Sequence, residues 1–150
     1  MMRILIAVDN SSFSEGLLQA VINGIRSENA EASVLLVLEP VEPVPPPEMS
    51  QGYAPELEGE KPAARALVEQ IASQLRNAGF AARTEVVIGD IADTILDKAS
   101  EWRADLIAVG SHGKSSLHDL LLGSVADSIV RRAGCSVLVV RASACNKGTP

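Results

Sequence analysis

The chain has 150 residues, the size of one domain, and 47 % of them are hydrophobic, enough to fill a sizeable core. Aromatic residues are only 3 %, so that core must be aliphatic, built from Val, Leu, Ile and Ala. A net charge of −6 and a pI near 4.9 argue against nucleic acid as a partner, which calls for a basic stripe, and against anionic membrane surfaces.

The opening "MMRILIAVD" has one basic residue and five apolar ones before Asp9, too short a stretch for a secretory signal. No apolar run approaches the ~18–20 residues a membrane span needs. Cys135 and Cys145 form neither a disulfide framework nor a metal-ligand spacing. They read as buried or tail thiols of a protein in a reducing compartment, which predicts the cytoplasm.

In chain order, five short aliphatic runs alternate with segments of helical period. The runs are "RILIAV" (3–8), "SVLLVL" (33–38), "RTEVVI" (83–88), "DLIAVG" (105–110) and "SVLVVR" (136–141). Continuous apolar runs suit strands covered on both faces, as in a parallel sheet. Between them, Leu17, Leu18, Val21, Ile22 and Ile25 make one helical stripe, and Leu67, Val68, Ile71 and Leu75 a second. Ile91, Ile95, Ala99 and Trp102 make a third, and Val125, Ile129 and Ala133 a fourth. Ser12 with Glu15 predicts a capping box, and Asp90 a cap for the helix starting at Ile91. Gly79 and Gly134 are placed to end helices with positive φ. The order β-α-β-α-β-α-β-α-β predicts one α/β domain over 1–141, an open parallel sheet with right-handed crossovers.

Residues 39–60, "EPVEPVPPPEMSQGYAPELEGE", hold six of the eight prolines and break this rhythm, which predicts a mobile, partly extended insertion or a lid. Residues 142–150 read as a frayed tail.

Ligands of open α/β sheets bind beyond the carboxyl ends of the strands, where the strand order reverses. Two predicted strand ends carry unusual chemistry. The first run ends in Asp9; the fourth leads into "VGSHGKSSLHDLLLGSVAD", with glycines at 110, 113 and 123 and then Ser124. Gly110 allows a tight turn and approach to bare backbone, and Gly113 a second unusual backbone angle. Gly123 and Ser124 open the last helix, whose free N–H groups and dipole favour an anion. Charge-assisted amide bonds of ~1.5–3 kcal/mol each, with about 4 kcal/mol from burying an adenine face, make micromolar affinity reachable.

Rival motifs fit less well. No GxGxxG follows the first strand. "AVGSHGKS" is similar to a P-loop with Ala108 in the first glycine position, but Ala108 falls inside the strand. A receiver-like phosphoacceptor would need an acidic pair where Asp9 stands alone.

The spacing Gly110-x2-Gly113-x9-Gly123-Ser124, between "DLIAVGSHG" and "SVADSIVRRAGCSVLVVR", resembles the universal stress protein family, above all its ATP-binding branch. "ILIAVDNSSFSE" and "CSVLVV" look like that family too, and the resemblance covers about residues 2–141. It implies a Rossmann-like (adenine nucleotide alpha-hydrolase-like) fold with strand order 3-2-1-4-5. It also implies ATP, with Mg²⁺ or Mn²⁺, as the ligand of a nucleotide-dependent regulator in the stress response. Asp9 and Ala7 would lie by the adenine and ribose, and Leu38 on or beside the base. Val109, Gly110, Ser111, His112 and Gly113 would wrap the ribose and phosphates, extending to Lys114 and Ser115. Gly123, Ser124 and Val125 would hold the phosphates. Homodimers would pair their last strands, residues 136–141, and a further protein partner would read the nucleotide state.

Plainer readings stand beside these. Asp9 also suits a turn at a helix start, His112 a turn, and His118 a solvated face. Leu117, Leu120 and Leu121 suit packing, as does Trp102, and Tyr53 in the insertion is a weak candidate for stacking on a base. A slow ATPase or nucleotidyl-transfer enzyme, and a family member without nucleotide, remain the alternatives.

Overall fold

A computed structural model describes residues 1–11, 13–40, 55–111 and 122–141, with the backbone alone at 55–58. Strand β1 (Met2–Val8) leads to helix α1 (Ser14–Gly24), a 3₁₀ turn (Ser27–Asn29) and β2 (Ala30–Leu38). Then come α2 (Pro55–Asn77), β3 (Ala81–Ile88), α3 (Ile91–Trp102), β4 (Leu106–Gly110), α4 (Ser124–Arg132) and β5 (Ser136–Val140). The strands form one parallel sheet in the order β3-β2-β1-β4-β5, the order the resemblance implies. β2 begins three residues before its apolar run, because Ala30, Glu31 and Ala32 pair with Met2, Arg3 and Ile4. Here the backbone ladder, not hydropathy, sets the strand end.

Alternate residues of the central strand feed two cores. Ile4, Ile6 and Val8 pack under α1 and α2 with Leu17, Leu18, Val21, Val68, Ile71 and Leu75. Leu5 and Ala7 face the other way, toward Ile95 and Ala99 of α3 and Ala126 and Ile129 of α4. The chain winds outward from β1 to β3, then returns across β1 to β4 and β5. Crossovers of one hand require the helices to change faces when the winding reverses. The two cores record that change.

Three local expectations need correction. Helix α1 starts at Ser14 with Phe13 at its N-cap and no side-chain cap, and Glu15 accepts Gln19 Nε2 at 3.1 Å. The N-cap position is thus Phe13 rather than Ser12, and the expected capping box falls on Ser12, which lies outside the described residues. Gly134 lacks positive φ, since α4 ends through Ala133 in an extended conformation. Among the described residues positive φ occurs at Gly79, as expected, and at Arg103, which ends α3 in the left-handed region without glycine. Finally, residues 55–60 are helical rather than extended. Pro55 suits a first helical position, where no N–H is needed. Proline at 62 lies inside α2 and costs it a backbone bond, so composition alone pointed to extended chain. Tertiary burial of Ala64, Val68, Ile71, Ala72 and Leu75 outweighs that cost.

Asp90 caps α3 as expected, its Oδ2 accepting the Asp93 N–H at 2.9 Å. Cys135 is half-buried and unpaired by any disulfide, and burial pushes its thiol pKa up, as befits an inert packing residue.

The two glycines separate in a stability test. At Gly79, φ is +101° and an added Cβ would stand 2.7 Å from Ser27 Oγ, whereas at Gly134 it would meet nothing within 4 Å. Gly79→Ala is expected to cost at least ~1–2 kcal/mol in urea unfolding, and Gly134→Ala to stay within about 0.5 kcal/mol of wild type.

Candidate functional site

The sheet is stitched shut at one end of its centre and open at the other. At the amino end, Arg3 N–H donates to Asp105 Oδ2 at 2.8 Å, and Asp105 N–H returns a bond to the Arg3 carbonyl at 2.8 Å. Arg3 also pairs with Glu31 at 2.9 Å and donates to the Trp102 carbonyl at 2.9 Å. Registered pairs between β1 and β4 then run from Ile4–Leu106 to Ile6–Ala108 and stop. Beyond that point β1 continues with β2 to Val8–Leu36, while β4 continues with β5 to Gly110–Val140. After β1 the chain leaves toward α1 on one face, and after β4 toward α4 on the other. A crevice between the two strand ends follows from the topology.

Asp9 follows β1 at one lip. Its Oδ1 accepts the Ser11 N–H at 2.9 Å and the Ser11 hydroxyl, and its carbonyl accepts the Ser14 hydroxyl at 2.7 Å. The turn reading of Asp9 is thus realised, with the residue half-buried at the crevice. Ala7 is also half-buried, on the α3/α4 side. Leu38 ends β2; its carbonyl accepts the Gly89 N–H at 3.0 Å, and its side chain packs on the α1/α2 core.

On the other lip, Val109 is buried, so it can offer a ligand only backbone. Gly110 remains within β4, paired with Val140 and without positive φ, so it is a strand residue rather than the tight turn expected. Ser111 is 4 % exposed; its N–H donates to the Val140 carbonyl at 2.8 Å, and its carbonyl accepts the Gly123 N–H at 2.7 Å. That last bond joins residues twelve apart in sequence and brings Gly110 and Ser111 beside Gly123, Ser124 and Val125. His112, Gly113, Lys114 and Ser115 lie outside the described residues, as do His118, Leu117, Leu120, Leu121, Tyr53 and Cys145.

Two helix N-termini meet here with different chemistry. The Asp90 carboxylate occupies that of α3. Gly123, the N-cap of α4, supplies no side-chain acceptor, and the first amides of the helix have no intrahelical partner. With Gly123 offering no cap and Arg131 and Arg132 balancing the far end, the N-terminus of α4 has the chemistry that suits an anion.

A cleft of about 410 Å³ extends from Ser124 and Val125 between the first turns of α3 and α4. It adds residues that the sequence reading did not assign to a site: Glu39, Asp90, Ile91, Ala92, Asp93, Ser128 and Arg132. Arg132 bonds Asp93 at 2.9 Å and Ser128 Oγ at 3.3 Å. The signal was present, since Ser124, Ser128 and Arg132 recur every four residues along one helix face. Among the described residues no cluster of His, Cys, Asp and Glu is assembled to hold a metal, and no helix is long and apolar enough to cross a membrane.

The universal stress protein family model matches residues 1–141. The chain belongs to that family. It is 30 % identical over 150 residues to the universal stress protein YxiE of Bacillus subtilis, covering 93 % of this chain and 98 % of that one. The solved structure of MJ0577 from Methanocaldococcus jannaschii superposes with a TM-score of 0.80 at 28 % identity, covering 93 % and 94 % of the two chains. More distant folds include the Archaeoglobus fulgidus universal stress protein in complex with dAMP (TM-score 0.66, 20 % identity, 93 % and 98 % covered). A family protein from Arabidopsis thaliana with AMP bound is similar at TM-score 0.65 and 18 % identity, with 93 % and 90 % covered.

Asp9 offers a test that separates turn from ligand chemistry. Asp9→Asn keeps the acceptor for Ser11 and should melt within about 1 °C of wild type. Asp9→Ala leaves the turn unsatisfied, which costs about 1 kcal/mol and lowers the melting temperature by about 2–4 °C.

Proposed function

We propose that the protein binds ATP, with Mg²⁺ or Mn²⁺ carried on the phosphates, in the crevice beyond β1 and β4. Its role is that of a nucleotide-dependent regulator in the cytoplasmic stress response rather than an enzyme. The observation that carries this reading is the Gly123–Ser111 hydrogen bond. It sets the uncapped N-terminus of α4 against the open end of the β1–β4 junction, so that free amides face a ready-made gap. Related folds that hold dAMP and AMP support an adenine nucleotide as the occupant.

In this reading Ala7 and Asp9 border the adenine and ribose, and Leu38 stands at the base end. Val109 to Gly113, extending to Lys114 and Ser115, surround the ribose and phosphates, and Gly123, Ser124 and Val125 bind phosphate through backbone amides. The described side chains supply no metal cage, so the divalent ion is coordinated chiefly by the phosphates.

The two sheet edges differ in a way that supports pairing of two copies through β5. The β3 edge carries the charged side chains of Arg83 and Glu85, which do not suit pairing with an identical copy of the same strand. By contrast β5 presents Val137, Leu138, Val139 and Val140, all only partly buried. A homodimer through this strand would cover them.

A single substitution distinguishes site from fold. Gly123→Asp places a carboxylate on the free α4 amides, an intramolecular cap that competes with phosphate. Unliganded Gly123→Asp should be as stable as wild type or gain about 0.3–1 kcal/mol. ATP with Mg²⁺ at a hundredfold excess over Kd should stabilise wild type by about 2.7 kcal/mol in a thermal melt and leave Gly123→Asp unmoved. An equal ATP shift in both proteins would place the nucleotide elsewhere.

A further inference from the structure

The nucleotide reading uses the carboxyl end of the sheet and leaves a second cleft unexplained. It measures about 470 Å³ and lies between edge strand β3 and the last turns of α3. Its lining is Arg83, Thr84, Glu85, Lys98, Glu101 and Trp102. Arg83 and Glu85 both turn toward α3, and Thr84 between them brings the strand's backbone into the lining.

The bonding of Ala82 shows which backbone groups that edge presents. Its carbonyl accepts Arg76 Nε at 3.1 Å and Nη2 at 2.8 Å, so it is turned away from β2. The two-residue alternation of a strand then turns the N–H and C=O of Thr84 and Val86 outward as well. Arg76 covers the start of the edge; the next outward groups open into the cleft. Among the described residues β3 is paired on its β2 side alone.

The side chains add one directed preference. The Arg83 guanidinium lies 4.5 Å from the centre of the Trp102 ring, and its Nε donates to Ser33 Oγ at 3.3 Å. No described carboxylate pairs with it, because Glu85 and Glu101 are both taken by Lys98, at 2.7 and 3.7 Å. The Glu85 hydrogen bond holds the Lys98 ammonium protonated above its ordinary range, which keeps that neutralisation in place. Arg83 and Lys98 together balance Glu85 and Glu101, so the cleft has no net charge with which to draw in a free anion. Arg83 is the cation there without a described carboxylate, and in a neutral cleft an acidic group suits it best when carried in on a segment that the strand edge holds.

We propose that this cleft docks an extended acidic segment of a partner protein, which pairs its backbone with the Thr84–Val86 edge of β3 and sets one carboxylate on Arg83. Strand addition supplies the affinity, and the Arg83 fork supplies the choice of side chain. This surface lies on the lateral β3 edge, with β2 between it and the β1–β4 crevice, and the proposal does not depend on the ATP reading.

The test uses the full ¹⁵N-labelled chain and a capped heptapeptide of alternating Thr and Val with a central Asp, beside versions with Asn or Lys there. Amide shifts should centre on Thr84 and Val86, emission of the single tryptophan, Trp102, should change, and the Lys peptide should bind at least tenfold more weakly. Arg83→Ala should erase the preference for Asp over Asn. Thr84→Pro, which deletes an outward N–H where an edge tolerates proline, should weaken all three peptides alike and spare the ATP response. The proposal is overturned by no shifts at millimolar peptide, or by equal binding of the Asp and Lys peptides. The same shifts from inorganic phosphate alone would overturn it too, as would β3 shifts that follow protein concentration without peptide and so report self-pairing.

Discussion

The fold turns on the junction of β1 and β4, where the winding of the sheet reverses. Arg3 and Asp105 exchange two hydrogen bonds there at 2.8 Å, and Arg3 extends the lock to Glu31 and the Trp102 carbonyl. This fixes the amino ends of the two central strands. Their carboxyl ends are free to part after Ile6 and Ala108, because each continues with a different neighbour. Faces, cores and crevice all follow from that reversal. The helices before it cover one side of the sheet, those after it the other, and the gap falls between.

An acidic chain is an unexpected host for a polyanion, and the geometry answers this at short range. A net charge of −6 repels nucleotide at a distance, but salt screens such fields within about 8 Å. What matters inside that radius is the set of oriented amides. Helix α3 has spent its N-terminal amides on Asp90, while α4 has not spent its own on Gly123. A residue without a side chain at one N-cap and a carboxylate at the other thus make α4 the helix of the pair suited to the proposed anion. In the proposed site, affinity resides in the backbone, and the sequence contributes by what it leaves out.

Much of this was legible from residues. Aliphatic runs of six residues located all five strands, since a strand covered on both faces is largely apolar. Asp90 announced its helix, and Gly79 its left-handed turn. The misses share a cause: they were settled by contacts distant in sequence. The start of β2 follows its register with β1, and α2 reaches back to Pro55 because its later turns are buried. Arg103 takes a left-handed φ that glycine usually supplies, and no local pattern flagged it. At the candidate site, Gly110 and Gly123 stood out by their spacing and Asp9 by its place at a strand end. Ser128 and Arg132 emerged only once α4 was laid beside α3.

The most direct measurement is the small-molecule content of the protein as it is purified, without added nucleotide. Denaturation followed by mass spectrometry should release adenine nucleotide, approaching one per chain. A protein that releases none, and that still holds none after equilibration with millimolar ATP and Mg²⁺, would contradict the central claim and leave the crevice a consequence of topology alone.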